Sequence, residues 1–556
     1  MRKLYLLTIA LFAVSPEAVA QQPPTAGGQI QQIPPSPMPQ KAVPDIRIER
    51  NERQSAPLPD GEMILVKSLH VTGAAKFPEA ELIAVTGFKS GNALDLAALR
   101  AMAAKISDYY NRHGYFVAQA FLPPQTINDG AVTIEVIEGR YGKVSLNNHA
   151  HISDDVANNV LGGLESGDIV ATDPLERRLL LLSDLPGVEV KSTLIPGSTV
   201  GTSDLIVDLT PGRRVTGSIE ADNAGNRYTG AYRVGGTVNF NEPLGYGDVA
   251  SLRALMSTTG NLAYLRGSYQ AQAGDATLGV AYASLWYRLG EEFSALKAHG
   301  TADIASLYGS YPLIRSRDGN LYALLDFDDK TFRDRTDVPS TVSDRGARVV
   351  TAGLNGNHHD TIGGGGWTDF SLALSLGDLD IQTPAVRAAD AVTARSNGNY
   401  GKLGFEIARL QNVAGPFSLY AKIVGQIASK NLDNSEKMEL GGAYAVRAYP
   451  EGEAYADEGY VATLEARLRL PKVSTGLPGE MQLIGFVDTG AVTANKNPWV
   501  NGPNSTTLSG AGVGFTWADD NDFLFSAYYA HKLGDTKAIS APDSPGRVWV
   551  QITKFL

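Results

Sequence analysis

The chain has 556 residues, a formal net charge of −11 and no cysteine, which excludes disulfides, thiolate metal sites and cysteine nucleophiles. Its length accommodates two to four domains, and its acidic balance argues against nucleic acid as a partner, because neutralising phosphates takes an excess of Lys and Arg. A mean hydropathy of −0.12 excludes a helical membrane protein but leaves open a transmembrane β-barrel, whose strands alternate polar and apolar residues.

Arg2 and Lys3 precede an apolar run over residues 4–14, and Ala18-Val19-Ala20 supplies small residues at the cleavage positions. This order predicts a secretory signal peptide over residues 1–20. The run falls well short of the ~20 residues a spanning helix needs, so the mature chain is expected to leave the cytoplasm from Gln21. Residues 21–61 hold Pro23-Pro24, Pro34-Pro35, Pro37 and Pro39, a spacing that favours an extended linker. Within it residues 27–33 (GGQIQQI) are compatible with a helical turn or two in the pore, or with plain linker.

From Met63 the pattern changes to short strands and helices. Residues 64–71 read as a strand, 78–85 as a short helix and 94–113 as a longer one. The longer helix places Leu96, Leu99, Met102, Ile106 and Tyr110 on one face, and Gly114 ends it as a C-cap glycine. Strands over 116–122 and 131–138 complete a module spanning 62–140. The same order recurs over 141–214, with helices at 154–161 and 173–183 and strands at 143–146, 188–194 and 204–209. Two modules with this order look like POTRA domains. The stretch HGYFVAQAFLPPQTINDGAVTIEVIEG (113–139) strongly resembles the POTRA segment of the two-partner secretion transporters.

After Arg214 the helical signal stops, and residues 215–556 give about sixteen alternating segments separated by turn residues. Tyr460, Ala462, Leu464, Ala466 and Leu468 share one face, and Thr463, Glu465, Arg467 and Arg469 the other. A soluble sandwich also alternates, but its domains run to about 100–250 residues, and here the pattern continues longer with Gly-rich polar companions. The predicted fold is therefore α+β POTRA modules followed by a 16-stranded antiparallel transmembrane β-barrel over 215–556. In the last strand Val548, Val550, Ile552 and Leu556 lie on one face, as in the C-terminal assembly signal of outer-membrane barrels. That signal usually ends in an aromatic residue, whereas here Phe555 is penultimate.

Two strings are the most specific. VRAYPEGEAYADEGY (446–460) resembles the VRGY/F motif of POTRA-barrel transporters, through Val446, Arg447, Tyr449, Pro450, Glu451 and Gly452. It has Ala448 where the family usually has Gly, and it sits in a loop expected at about 431–457 between barrel strands eleven and twelve. A loop of that length is functional more often than idle. Phe486, Asp488 and Gly490 resemble the F-x-D-x-G strand motif of the same family. The resemblance implies that the loop folds into the lumen and that Arg447 pairs there with Asp488 as a latch. Arginine suits the role because its planar fork binds a carboxylate through two parallel hydrogen bonds. Exchanging the two charges is then expected to recover some activity.

Other constellations carry less. Asp488-Thr489-Gly490 spells the aspartic-protease triplet, but that chemistry needs two carboxylates sharing a proton and the chain has one such triplet. His358-His359-Asp360 has no third ligand at a defined spacing. Asp326, Asp328 and Asp329 lack the rest of a calcium loop, and the glycines at 363–366 lack a phosphate-loop lysine. No catalytic residue, metal site or cofactor is predicted.

The resemblance to the haemolysin secretion/activation type of two-partner transporter (TpsB) covers nearly the whole mature chain. It implies an outer-membrane location with the POTRA modules in the periplasm, and a large, unfolded secreted exoprotein as partner, bound through its N-terminal secretion domain. It also implies contact with outer-membrane lipid and with the barrel-assembly machinery during biogenesis, no nucleic acid, and transport without nucleotide hydrolysis. A POTRA-barrel insertase and a passive porin are the alternatives.

Overall fold

The structure is a computed structural model that describes residues 23–37, 45–48, 63–472, 478–520 and 522–556. The signal peptide read at 1–20 and parts of the linker lie outside these residues. Two short elements precede the modules, helix α1 (Ala26–Gln31) and strand β1 (Asp45–Ile48).

The first module comprises β2 (Ile64–Val66), β3 (Ser68–Thr72), α2 (Glu79–Thr86), β4 (Asn92–Leu94), α3 (Leu96–Arg112), β5 (Gln119–Phe121) and β6 (Ala131–Ile137). The strand expected over 64–71 is two strands in two sheets, because the chain turns at Lys67, whose N–H donates to the Gly130 carbonyl (2.8 Å). Asp95 caps α3 by accepting from the Ala98 N–H at 2.7 Å, and Gly114 follows it with a φ of 87° that only glycine adopts freely. Leu99, Ala103, Ile106 and Tyr110 of α3 are buried against the sheet order β3-β6-β5. The buried Tyr110 hydroxyl donates to Glu138 (2.9 Å), whose carboxylate also accepts the N–H groups of Ala75 and Lys76. Burial raises that hydroxyl above the usual tyrosine range, so it stays a donor.

The second module comprises β7 (Arg140–Asn148), α4 (Asp154–Leu161), α5 (Thr172–Asp184), β8 (Val188–Pro196) and β9 (Thr202–Pro211). Phe116 and Val117 of the first module pack against its core, and the Gly114 carbonyl accepts both the N–H and the hydroxyl of Thr172 at 2.9 Å. Its sheet has four strands, in the order β1-β8-β9-β7. The fourth comes from the linker: β1 adds in parallel to the β8 edge, with Asp45 opposite Lys191 and Ile48 opposite Leu194.

The rest of the chain closes into a barrel of sixteen antiparallel strands, numbered here from barrel strand 1 (Val215–Asp222) to barrel strand 16 (Gly546–Phe555), which pair with each other through Ser218–Asp222 and residues 551–555. Alternation follows the predicted faces. In barrel strand 12 (Glu458–Arg469), Tyr460, Leu464 and Leu468 point outward and are exposed, whereas Val461 and Glu465 are buried inside. Val548, Val550, Ile552 and Leu556 are exposed on the outer face, as a lipid-facing surface requires. The glycines at 363–366 form the turn between two strands, and Asp360 beside them pairs with Arg409 (2.7 Å). Helix α5 rests on the module-side rim. Arg178 pairs with Asp275 (2.9 Å) and Asp184 with Arg315 (2.7 Å), both in or next to barrel turns.

Candidate functional site

The loop between barrel strand 11 (Phe417–Ala428) and barrel strand 12 turns back into the barrel. Its two limbs form a ribbon, with Met438 opposite Ala456 and Glu439 opposite Tyr455. Asp457 ties its roots together: fully buried, it accepts the N–H groups of Leu432 (3.0 Å) and Lys496 (2.8 Å) and pairs with Lys437 (2.9 Å).

At the tip, Arg447 and Asp488 meet. Arg447 Nε and Nη2 each donate to Asp488 at 2.8 Å, one to each oxygen, and the Arg447 backbone N–H donates at 3.2 Å. Thr463 Oγ1 adds a fourth donor at 2.9 Å. Asp488 is fully buried, and a carboxylate without water needs this full set of donors. The remaining arginine nitrogen, Nη1, lies 2.9 Å from Glu465. The Phe486 ring lies 3.5 Å from the guanidinium carbon and the Tyr528 ring 5.0 Å away, in cation–π contact. Trp549 Nε1 donates to the Arg447 carbonyl (2.7 Å), which attaches the tip to the last strand. One arginine thus reaches two carboxylates, two aromatic rings and, counting Trp549, four barrel strands.

The other motif residues shape this seat. Val446 and Tyr449 are fully buried, and the Tyr449 hydroxyl donates to the Thr536 carbonyl at 3.1 Å. Glu451 accepts the Ala443 N–H (2.7 Å), and Gly452, at φ 81°, donates its N–H to Glu439. The Pro450 carbonyl packs so closely on Gly441 that a Cβ there would lie 2.6 Å away. Gly490 has the same meaning from the wall side, since a Cβ would meet Leu440 at 2.5 Å. Ala448 is not among the tip residues with positive φ, which are Gly442, Gly452 and Ala454. Its methyl occupies the space that Gly510 leaves, where a Cβ would lie 2.4 Å from it.

Helix α1 lies inside the barrel against this loop. Ala26 N–H donates to Asp334 (2.8 Å), Thr229 donates to Gln29 (2.8 Å), and Gln32 donates to Glu439 (3.1 Å) and Tyr455 (2.6 Å). Beyond the helix, Arg233 and Arg253 donate to the carbonyls of Gln32 (2.9 Å) and Pro34 (2.6 Å). The two arginines also pair with Asp222 and Glu220 of barrel strand 1.

Sequence reasoning named Arg447 and Asp488 but not Glu465, Thr463 or Trp549 as their partners. Glu465 and Thr463 were legible as inward-facing residues; which of them meets the loop depends on its insertion depth, for which no local pattern exists.

Residues 201–517 match the family described as haemolysin secretion/activation protein ShlB/FhaC/HecB, and residues 64–139 match the ShlB-type POTRA domain. The Heme/hemopexin transporter protein HuxB of Haemophilus influenzae is 28% identical over 451 residues, covering 80% of this chain and 79% of that protein. The outer membrane transporter CdiB of Dickeya dadantii is 24% identical over 437 residues, covering 76% and 75%. Among solved structures, CdiB from Escherichia coli superposes with a TM-score of 0.69 at 20% identity, over 91% of this chain and 92% of that one. BamA from Haemophilus ducreyi lacking POTRA domains 1–3 superposes at 0.52 with 14% identity, over 88% and 100%. The structural likenesses establish a shared fold.

Proposed function

Because the chain belongs to the haemolysin secretion/activation family ShlB/FhaC/HecB, and so is an outer-membrane two-partner secretion transporter with its POTRA domains in the periplasm, we propose that those domains recognise an unfolded partner exoprotein and that the barrel passes it to the cell surface. No nucleotide is hydrolysed in this reading; folding of the partner outside supplies direction. Stalling that folding without slowing export would remove the energy source.

One observation carries the reading. The protein's own chain lies on the β8 edge as β1, reappears in the lumen as α1, and needs only residues 38–44 to join the two. An extended polypeptide adds to a sheet edge through main-chain hydrogen bonds that any sequence can make, which suits a reader of unfolded chains. The protein's own chain thus occupies both the POTRA edge and the lumen, and a partner takes the edge by displacing β1. A passive porin has no use for such an edge.

The test exploits the absence of cysteine. Arg47 lies opposite Thr193 across the β1–β8 pair, so Arg47→Cys with Thr193→Cys allows a disulfide that fixes β1 in place. Oxidised cells are expected to export the partner about tenfold less than reduced ones, the effect of blocking one docking edge. Equal export in the two states would remove the β8 edge from the pathway.

A further inference from the structure

A second loop also folds inward. Residues 533–545 connect barrel strand 15 (Phe523–Lys532) to barrel strand 16 on the extracellular rim, yet Ala538 and Ser540 are buried and Ala538 belongs to the apolar cluster around the Arg447 loop. Two side chains of the lumen loop reach this second loop: the Tyr449 hydroxyl donates to the Thr536 carbonyl (3.1 Å), and Glu453 makes the larger set of contacts. Glu453, 3% exposed, accepts the Ile539 N–H at 2.9 Å, the Ser540 N–H at 2.8 Å and the Ser540 hydroxyl at 2.7 Å. Among the described residues no Lys or Arg nitrogen lies within ion-pair distance of it, so these loop donors supply its hydrogen bonds while the Arg547 charge acts on it only from farther off. Its backbone belongs firmly to the lumen loop, since the Glu453 carbonyl accepts the Leu440 and Gly441 N–H groups. The next residue, Ala454, sits at φ 54°. A non-glycine residue held in the left-handed region marks a position that its surroundings over-determine.

We propose that Glu453 is a positioning residue that holds the 533–545 loop down over the extracellular mouth of the pore, so that this loop is a gate. If the carboxylate is removed, two N–H groups and a hydroxyl lose their acceptor, and the loop regains them only by turning to water. The proposal rests on the barrel being the conduit, but its test reads the gate without reading export.

Ala538→Cys places a small reporter in the buried part of the gate, and Val392→Cys, at a position 75% exposed, serves as the control on a different extracellular loop. Intact cells are treated with a membrane-impermeant maleimide. Adding Glu453→Ala is expected to label Ala538→Cys about tenfold faster, as losing a buried acceptor implies, with the control unchanged. Glu453→Gln keeps an acceptor oxygen and is expected to fall between the two. In planar bilayers Glu453→Ala is expected to spend more time open. Unchanged labelling of Ala538→Cys alongside normal labelling of the control would overturn the assignment. Should Glu453→Ala fail to reach the membrane, an unaltered rate in Glu453→Gln would overturn it equally. Export in these cells is scored separately. Normal gating change without export strikes the conduit reading and leaves Glu453 in place.

Discussion

Arg447→Ala is expected to leave a membrane-inserted, heat-modifiable barrel while lowering export of the partner at least about tenfold, since breaking a buried ion pair from one side costs up to ~3–5 kcal/mol and 1.4 kcal/mol is already a factor of ten. The barrel itself survives because its sixteen-strand ladder does not use Arg447. The seat does not survive: Asp488 loses the two guanidinium donors of its four and keeps only the backbone N–H of residue 447 and the Thr463 hydroxyl, Glu465 keeps only Arg467, and the Phe486 ring loses its cation. Arg447→Lys is expected to recover part of the loss, because an ammonium cannot bind Asp488 through a planar fork and reach Glu465 as well. The measurement is secreted partner in the medium against folded barrel in the membrane. Full export by Arg447→Ala would discard the latch.

The surroundings of Arg447 also reverse one expectation drawn from the motifs alone. Exchanging the charges, Arg447→Asp with Asp488→Arg, restores an isolated pair. Here the new aspartate would face Glu465, which lies 2.9 Å from the arginine it replaces, and Thr463 would face a guanidinium instead of the carboxylate it donates to. The exchange is therefore expected to recover little.

The difference shows where sequence is legible. The barrel could be read because lipid on one side and water on the other force a two-residue period along every strand. The tip could be read because several unusual residues stand together at a fixed spacing. β1 could not: Asp-Ile-Arg-Ile is too short to carry a period, and its pairing partner lies far along the chain at residues 191–194. The inward fold of residues 533–545 was equally hidden, because their polar composition is what an exposed loop also has, and Glu453 finds them through backbone N–H groups that every sequence supplies. Helix α1 gave a compatible helical turn, but its seat depends on Gly27, which, like Gly28 beside it, faces a loop some 400 residues away.

Those glycines give the second large effect. On α1, Gly27 touches the lumen loop so closely that a Cβ would lie 2.6 Å from the Ser435 Cβ and 3.0 Å from its Cα and N. Backbone atoms cannot yield as the end of a flexible side chain can, and the loop is fixed at its roots by Asp457, so Gly27→Val is expected to unseat the helix. At the next position a Cβ would sit 3.5 Å from the Tyr455 hydroxyl, an ordinary contact, and alanine also favours helix by up to ~1 kcal/mol over glycine. Gly28→Ala is therefore expected to hold the helix at least as well as the natural residue. Purified protein in planar bilayers separates the cases: Gly27→Val should conduct severalfold more than the natural protein, and Gly28→Ala no more. The pair is informative because both substitutions add bulk to one short helix, yet only one meets backbone. Equal conductance for all three proteins would mean that α1 does not close the pore, and the barrier would then have to lie in the Arg447 loop and the 533–545 loop alone.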